Sequence, residues 1–165
     1  MDTATITKIS AYEAERGKPM PSKNHAIIQR NLMFMISLQL KNKIDVLPEL
    51  SLNINGKERI PDLTIYPTVS FVPFSDESKM SEVPLTTVEI LSASQKISDL
   101  TAKSGEYFDF GVQSYWLVIP ELRSIYVFNS SDKHEVFANE EILSDPTLGI
   151  ELDLKRVFGE KFRLE

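Results

Sequence analysis

The segment Ser114–Ile119 places the strongest constraint on the fold, because it is a nearly continuous apolar run of strand length. A strand with one solvated face alternates apolar and polar residues, whereas an unbroken apolar run is typical of a strand covered on both faces. The chain must therefore supply a layer on each side of a sheet. The sequence predicts an α/β fold in which helices flank a mixed β-sheet.

Two segments have the periodicity of helices that could form these layers. In residues 22–41, apolar side chains recur at helical spacing, and Ser22 is well placed to cap the first turn. Residues 98–110 form the second predicted helix. We expect Ser98 to cap it and Gly111 to end it, since glycine adopts the left-handed conformation that closes many helices.

The other predicted strands surround this core and are joined by short turns. They comprise residues 44–54, 59–66, 84–91, 123–128, 134–138 and 150–152. The Asn55-Gly56 pair predicts a tight hairpin turn between the first two, because such turns need positive φ. Residues 67–82 are polar and predict a loop. Residues 12–16 predict a short strand or an ordered arm, and residues 154–162 a last helical turn.

Composition limits the classes of protein that remain. The length of 165 residues predicts one domain covering residues 1–165. Cysteine is absent, which excludes disulfides, thiolate zinc sites and cysteine nucleophiles and fits a reducing cytosol. No signal peptide or membrane-spanning run is visible, so we expect a cytoplasmic protein with no membrane partner. A formal net charge of −6 argues against a phosphate-backbone partner, unless a local basic patch or a dimer groove exists.

Three charged residues occupy positions where a simple core pattern expects apolar or neutral side chains: Asp62, Glu89 and Lys103. Glu89 is the clearest case, because both faces of its strand are otherwise mostly apolar. A buried carboxylate without a partner costs several kcal/mol or takes up a proton. Two interpretations remain open, an ion pair with a core lysine or arginine and a metal ligand, and both require a nearby cation.

The other two residues have ordinary explanations when each is taken alone. Asp62 follows a proline and could simply begin a strand, while Lys103 could bury its stem and extend its ammonium group into water. Lys103 nevertheless shares a helix face with Leu100 and Tyr107, a face that should pack on the sheet. Core packing is the expected role of Tyr107. Two acids and one amine on inward faces of adjacent elements form a more specific pattern than any one of them.

This pattern suits metal-assisted chemistry on phosphate esters. Magnesium is a hard cation that binds carboxylate, carbonyl and water oxygens, and manganese is the alternative. Asp62 and Glu89 could hold the ion, and the main-chain carbonyl of Ile90 could be a further ligand. Lys103 could orient the attacking water or neutralise developing negative charge.

The same residues resemble a known family, the Uma-two family of the PD-(D/E)XK restriction-endonuclease-like superfamily. The resemblance runs from about Tyr12 to the C-terminal region and is most specific over residues 61–120. It implies a restriction-endonuclease-like core, a divalent metal and a DNA-cleaving site, with DNA as the partner. It rests on the runs Ile60-Pro61-Asp62-Leu63-Thr64-Ile65, Val88-Glu89-Ile90-Leu91-Ser92-Ala93-Ser94 and Asp99-Leu100-Thr101-Ala102-Lys103, followed by Tyr107, Gly111-Val112 and Tyr115-Trp116-Leu117-Val118.

The resemblance also implies roles for individual residues. Asp62 matches the acid of the "PD" element, and Glu89 matches the acid of the "(D/E)XK" element. The lysine of the superfamily normally follows that acid by two residues, where this chain has Leu91. Within the family the lysine comes from the following helix, which selects Lys103.

Two weaker site candidates and several functional alternatives complete the expectations. Glu49 could add a third carboxylate, or lie on the surface. His25 could contact a phosphate or carry a proton, or be solvated. The acidic net charge favours a non-catalytic binding or assembly module that retains the fold, and hydrolysis of another phosphorylated substrate is a third reading. Because many nucleases cut two strands with paired sites, a homodimer is also compatible with the sequence.

Overall fold

The computed structural model describes residues 9–159, so residues 1–8, which bear on the signal-peptide expectation, lie outside it. The helices are α1 (Ala11–Arg16), α2 (Lys23–Gln39), α3 (Ile97–Phe110) and α4 (Leu154–Val157). The strands are β1 (Ile44–Pro48), β2 (Leu52–Ile54), β3 (Lys57–Arg59), β4 (Leu63–Pro67), β5 (Thr86–Ile90), β6 (Ser114–Ile119), β7 (Ser124–Ser130), β8 (Lys133–Ala138), β9 (Ile142–Asp145) and β10 (Ile150–Asp153). Among these elements, no helix combines the length and apolar character needed to cross a membrane.

A six-stranded sheet with the order β1-β4-β5-β6-β7-β8 forms the centre of the fold. The β5–β6 pair is parallel and α3 connects it, while the other neighbouring strands of this sheet are antiparallel. All six residues of β6 are buried, which matches the unbroken apolar run. The prediction of a mixed sheet flanked by helices is therefore confirmed.

The two faces of the sheet are covered by different layers. Leu32 and Ile36 of α2 pack with Trp116 and Val118 of β6 in one core, which α4 and the β9–β10 pair extend. Leu100 and Tyr107 of α3 pack in the other core with alternate residues of the same strand, and the β2–β3 hairpin adds to this layer. Successive side chains of a strand point to opposite faces, so β6 contributes to both cores.

The first segment is a helix, so the prediction of a strand or arm for residues 12–16 was wrong. Ser10 and Glu13 form a reciprocal capping box: the Ser10 hydroxyl accepts from the Glu13 N–H at 3.1 Å, and the Glu13 carboxylate accepts from the Ser10 N–H at 2.9 Å. Two otherwise unpaired donors are satisfied in this way, which stabilises a very short helix. Gly17 ends α1 in the left-handed conformation.

The two long strands predicted before residue 67 are each broken. Glu49 has a φ of 54°, which ends β1 and separates it from β2. The β2–β3 hairpin at Asn55-Gly56 forms as predicted, but the returning chain leaves it at Arg59 and begins β4 only at Leu63. Asp62 consequently lies immediately before β4 rather than within a strand.

The other differences concern helix boundaries and one missed strand. The N-cap of helix α3 is Lys96, two residues before the predicted Ser98, and it makes no side-chain cap, so the assignment of Ser98 as the cap was wrong. Gly111 ends the helix with a φ of 112°, as predicted. The strand β9 was not predicted. Helix α4 occupies the start of the predicted C-terminal turn, and residues 160–162 of that prediction lie outside the described chain.

Candidate active site

The candidate site lies where β4 begins and β5 ends. These strands are antiparallel with Leu63 opposite Val88, so one further step along the register places Asp62 opposite Glu89. Both carboxylates are almost fully buried, each residue being 2% exposed. The sheet topology therefore brings the two predicted acids together at one edge of the β4–β5 ladder.

Asp62 is surrounded by hydrogen-bond donors. Its Oδ2 atom accepts from the main-chain N–H of Ile90 at 2.6 Å, and Oδ1 accepts from Lys18 Nζ at 2.8 Å. His25 Nε2 is 3.2 Å from Oδ1 but is not aligned for a hydrogen bond. Burial acts to raise the pKa of Asp62, but His25 and Lys18 outweigh burial, so this pKa lies below its ordinary value.

Glu89 occupies a less polar environment. Its Oε1 atom accepts from the Tyr107 hydroxyl at 2.7 Å, and Lys103 Nζ lies 3.4 Å from the same oxygen. Burial raises the pKa of Glu89 and the charge of Asp62 adds to this effect, while Lys103 and Tyr107 act in the opposite direction without cancelling it. An additional positive charge at this position would stabilise the ionised form of Glu89.

Lys103 reaches the acids from the helix that follows β5. The face of α3 that carries Leu100 and Tyr107 is buried against the sheet, and the Lys103 side chain, 27% exposed, extends from it to Glu89. The ammonium group thus contacts both solvent and a buried carboxylate. The structure brings Asp62, Glu89 and Lys103 into one site, with Lys103 next to Glu89 and Lys18 next to Asp62.

Lys18 is the main residue of this site that sequence reasoning missed. Its Nζ atom lies 3.1 Å from Glu49 Oε2 and donates to the main-chain oxygen of Ile60 at 3.0 Å, in addition to its bond to Asp62. The Lys18 side chain is only 9% exposed. A lysine between a glycine and a proline has no periodicity that could reveal burial, so no signal in the sequence separated it from a solvated loop lysine.

Both weaker candidates also lie in the site. One ligand atom from each of His25, Glu49 and Asp62 lies within 4.8 Å of the other two. Gln29 supports this arrangement, because its amide donates to the Asp62 main-chain oxygen at 2.9 Å and to Glu49 at 3.4 Å. His25 is 6% exposed, so the alternative of a solvated histidine is wrong.

The donor set and the local space fit a small divalent cation. The site surrounds a cavity of about 10 Å³, which is near the minimum that accommodates one water-sized species. Two carboxylates supply the hard oxygen ligands that magnesium and manganese prefer. The Ile90 carbonyl lies on the Asp62 side of β5, because the N–H and C=O of one residue in a strand point the same way. Within the described chain, both ring nitrogens of buried His25 lack a hydrogen-bond partner, which also suits a ligand in this cavity.

Tyr107 has a polar role beyond the core packing expected for it. Its ring is fully buried, and its hydroxyl donates to Glu89. We expect Tyr107→Phe to lower the free energy of unfolding by about 1.5–3 kcal/mol, the range for a hydrogen bond to a charged group. Urea unfolding followed by fluorescence would measure the change.

Tyr115→Phe is a matched control for this variant. Tyr115 is equally buried, but its hydroxyl donates to the neutral main-chain oxygen of Leu100 at 3.0 Å. The loss should then be smaller, about 0.5–1.5 kcal/mol. Equal losses in the two variants would contradict a specific contribution of Tyr107 to a charged Glu89.

The six-stranded mixed sheet, with acids at the adjoining ends of β4 and β5, defines a restriction-endonuclease-like α/β fold. The Uma2 family, described as "Putative restriction endonuclease", matches residues 12–155, and the chain belongs to this family. A solved structure from Anabaena variabilis ATCC 29413, described as "a putative nuclease belonging to DUF820", is similar with a TM-score of 0.73 and 23% sequence identity. The similarity covers 85% of this chain and 83% of that one, and it supports the fold. No curated protein matches the chain significantly.

Proposed function

We propose that this protein is a metal-dependent endonuclease that hydrolyses DNA phosphodiester bonds. The observation that carries the proposal is the pair of buried acids, Asp62 and Glu89, that the β4–β5 register places side by side with the Lys103 ammonium 3.4 Å from Glu89. Membership of a family described as a restriction endonuclease supports a nuclease and, with it, a DNA substrate.

The proposed roles follow from the chemistry of each group. Asp62 and Glu89, together with the Ile90 carbonyl, would hold the divalent metal, which we take to be magnesium with manganese as the alternative. When bound, such an ion lowers the pKa of a coordinated water and stabilises negative charge on the phosphate. Lys103 is partly exposed beside Glu89, so its ammonium can orient the attacking water or neutralise charge that develops on the phosphate.

The remaining polar groups would maintain this arrangement. Lys18 holds one oxygen of Asp62 while the Ile90 N–H holds the other, which fixes the orientation of the carboxylate. Glu49 shares the Lys18 ammonium and balances its charge. His25 lines the cavity with its Nε2 atom 3.2 Å from Asp62 Oδ1, so it is positioned to contact a phosphate or to carry a proton.

One contact favours a second candidate function, a non-catalytic binding or assembly module that retains the fold. The Lys18 ammonium lies 2.8 Å from Asp62 and already supplies a positive charge to the site. A chain that uses this internal cation permanently would need no metal. The two functions therefore differ in whether an added divalent ion binds near Asp62 and Glu89.

Calorimetric titration with MgCl₂ and MnCl₂ tests this difference. We expect the natural chain to bind the ion, and both Asp62→Ala and Glu89→Ala to lose the binding heat. Parallel assays on supercoiled plasmid and on single-stranded DNA should show cleavage that depends on the ion. If all three proteins give the same titration with no heat of metal binding, and neither DNA is cleaved, the nuclease is excluded and the non-catalytic module is favoured.

A further inference from the structure

A second cavity lies across the N-terminal half of α2 from the active-site cavity. The charged side chains that line it are positive, whereas the whole chain is negatively charged. It has a volume of about 410 Å³ and is lined by the basic side chains of Lys23, Arg30 and Arg123. Among the described residues, no aspartate or glutamate lines it. In a chain with a formal net charge of −6, this basic cavity is a local exception.

The guanidinium group of Arg30 is held in place by a buried side chain. Its Nε and Nη2 atoms donate to Asn31 Oδ1 at 3.1 and 2.9 Å. Asn31 is 2% exposed, and its own amide donates to the main-chain oxygens of Arg156 at 3.3 Å and Val157 at 3.0 Å. A guanidinium has five N–H donors, so this anchoring fixes its direction and leaves others available to an anion.

The other two cations are available as well. Lys23 and Arg123 are exposed, and neither takes part in an ion pair within residues 9–159. Arg123 follows the 3₁₀ turn Pro120–Leu122 between β6 and β7, whereas Lys23 begins α2. Three cations, two from α2 and one from the turn before β7, therefore converge on one cavity, and no carboxylate among the described residues lines it.

The basic cavity lies at the same edge of the sheet as the candidate active site. Strands β5 and β6 are parallel, so the end of β5 that carries Glu89 and the turn before Arg123 lie on the same side. The first turn of α2 separates the two cavities, because His25 lines the active-site cavity and Lys23 lines the basic one. A helix with its side chains is about 10 Å across. In a duplex, where each nucleotide of one strand advances about 3.4 Å along the helix axis, that separation corresponds to roughly three nucleotides.

We propose that the basic cavity binds a backbone phosphate of the nucleic-acid strand, a few nucleotides from the phosphate in the active site. This inference rests on the proposed nuclease function and adds how an acidic protein holds a polyanion. Arginine suits the role, because its planar guanidinium matches the geometry of phosphate oxygens, and Lys23 adds a mobile point charge. Since the remaining surface is acidic overall, this cavity carries a large share of the electrostatic affinity.

The test is DNA binding by the full chain, measured by fluorescence anisotropy of a labelled oligonucleotide over a range of salt concentrations. Calcium is used in place of magnesium in these binding measurements, because it is also a hard, oxygen-binding cation. The variants are Lys23→Gln, Arg123→Gln and the double variant, with Lys41→Gln as the matched control, since Lys41 is exposed just beyond the other end of α2. Thermal unfolding by circular dichroism verifies that each variant is folded.

We expect each cavity variant to reduce the slope of log affinity against log salt by about one and to weaken binding uniformly across DNA sequences. The double variant should lose roughly tenfold or more in affinity at low salt, whereas Lys41→Gln should bind like the natural chain. A mononucleotide at the same phosphate concentration should compete far less well than an unlabelled strand.

Three results would overturn the inference, and they differ in what else they exclude. If the natural chain binds DNA and all three cavity variants keep its affinity and salt slope, the assignment of the basic cavity is wrong while the nuclease proposal stands. If the mononucleotide competes as well as a strand, the cavity holds a free nucleotide rather than a strand. If the natural chain binds no DNA at low salt, the nuclease proposal fails and the cavity assignment fails with it.

Discussion

Lys18→Met should lower the free energy of unfolding by about 3–5 kcal/mol in metal-free solution, the usual cost of removing one partner from a buried ion pair. The side chains of Lys18 and Asp62 are 9% and 3% exposed, and their charged atoms are 2.8 Å apart. Without the ammonium, Asp62 keeps the Ile90 N–H but loses its closest cation. Urea unfolding with chelator present would measure the change.

Addition of magnesium should recover part of this loss. An ion that binds only the folded chain increases the free energy of unfolding. At ion concentrations above the dissociation constant, this increase grows with the logarithm of the concentration. Lys18→Met removes an internal cation that competes for Asp62, so we expect the variant to gain more from magnesium than the natural chain does. No gain in either protein would support the non-catalytic module instead.

Lys79→Met is the matched control, because Lys79 forms an ion pair with Glu58 at 3.0 Å while its side chain is 54% exposed. Exposed pairs contribute about 0–1 kcal/mol. A second comparison is Lys18→Met combined with Asp62→Asn, which removes the buried charge and should be less destabilised than Lys18→Met alone. If Lys18→Met loses no more stability than Lys79→Met, the Lys18–Asp62 pair has no structural importance.

Glu89→Gln should greatly slow metal-dependent DNA cleavage while leaving the chain folded. Glutamine keeps the shape of the side chain and can still accept from Tyr107, but it removes the negative charge proposed to hold the ion. A loss of about 4 kcal/mol of metal-derived stabilisation corresponds to roughly a thousandfold decrease in rate. Cleavage of supercoiled plasmid under single-turnover conditions would measure it.

The matched control for Glu89→Gln is Glu135→Gln, an equivalent change at an exposed position of β8. Glu135→Gln should cleave DNA like the natural chain. Binding of DNA should persist in Glu89→Gln, because the basic cavity is unchanged. A Glu89→Gln protein that retains full metal-dependent cleavage would exclude Glu89 as a ligand of the catalytic ion.

The parts of the fold that were predicted correctly depend on local patterns. The unbroken apolar run of β6, the helical spacing in α2 and the glycine that ends α3 each follow from residues close in sequence. The errors arose where contacts between residues far apart in sequence decide the secondary structure. The positive φ of Glu49 divides one predicted strand, and β9 was missed although it pairs with β10.

The residues of the candidate site also separate into those that a local pattern indicated and those that only long-range contacts reveal. Asp62, Glu89 and Lys103 could be selected because charge interrupts an apolar pattern or matches a family motif, and their catalytic roles remain predictions. Tyr107 was expected only to pack, since nothing in a helical repeat indicates where a phenol hydroxyl points. Lys18 lay in a loop without periodicity, although it contacts an acid 44 positions away.

The amino-acid sequence alone establishes a sheet covered on both faces, with the acid Glu89 inside one apolar strand and Asp62 at the start of another, because the alternation of side chains along a strand indicates which faces are buried. It also indicated that an acidic chain needs a local concentration of positive charge before it can hold a phosphate backbone. Long-range contacts decide which cations serve these needs: Lys18 pairs with Asp62, and Arg123 lines one cavity with Lys23 and Arg30, which are almost a hundred positions away in the chain. Electrostatic pairing depends on distance in space, and chain folding sets that distance between residues that no local pattern connects.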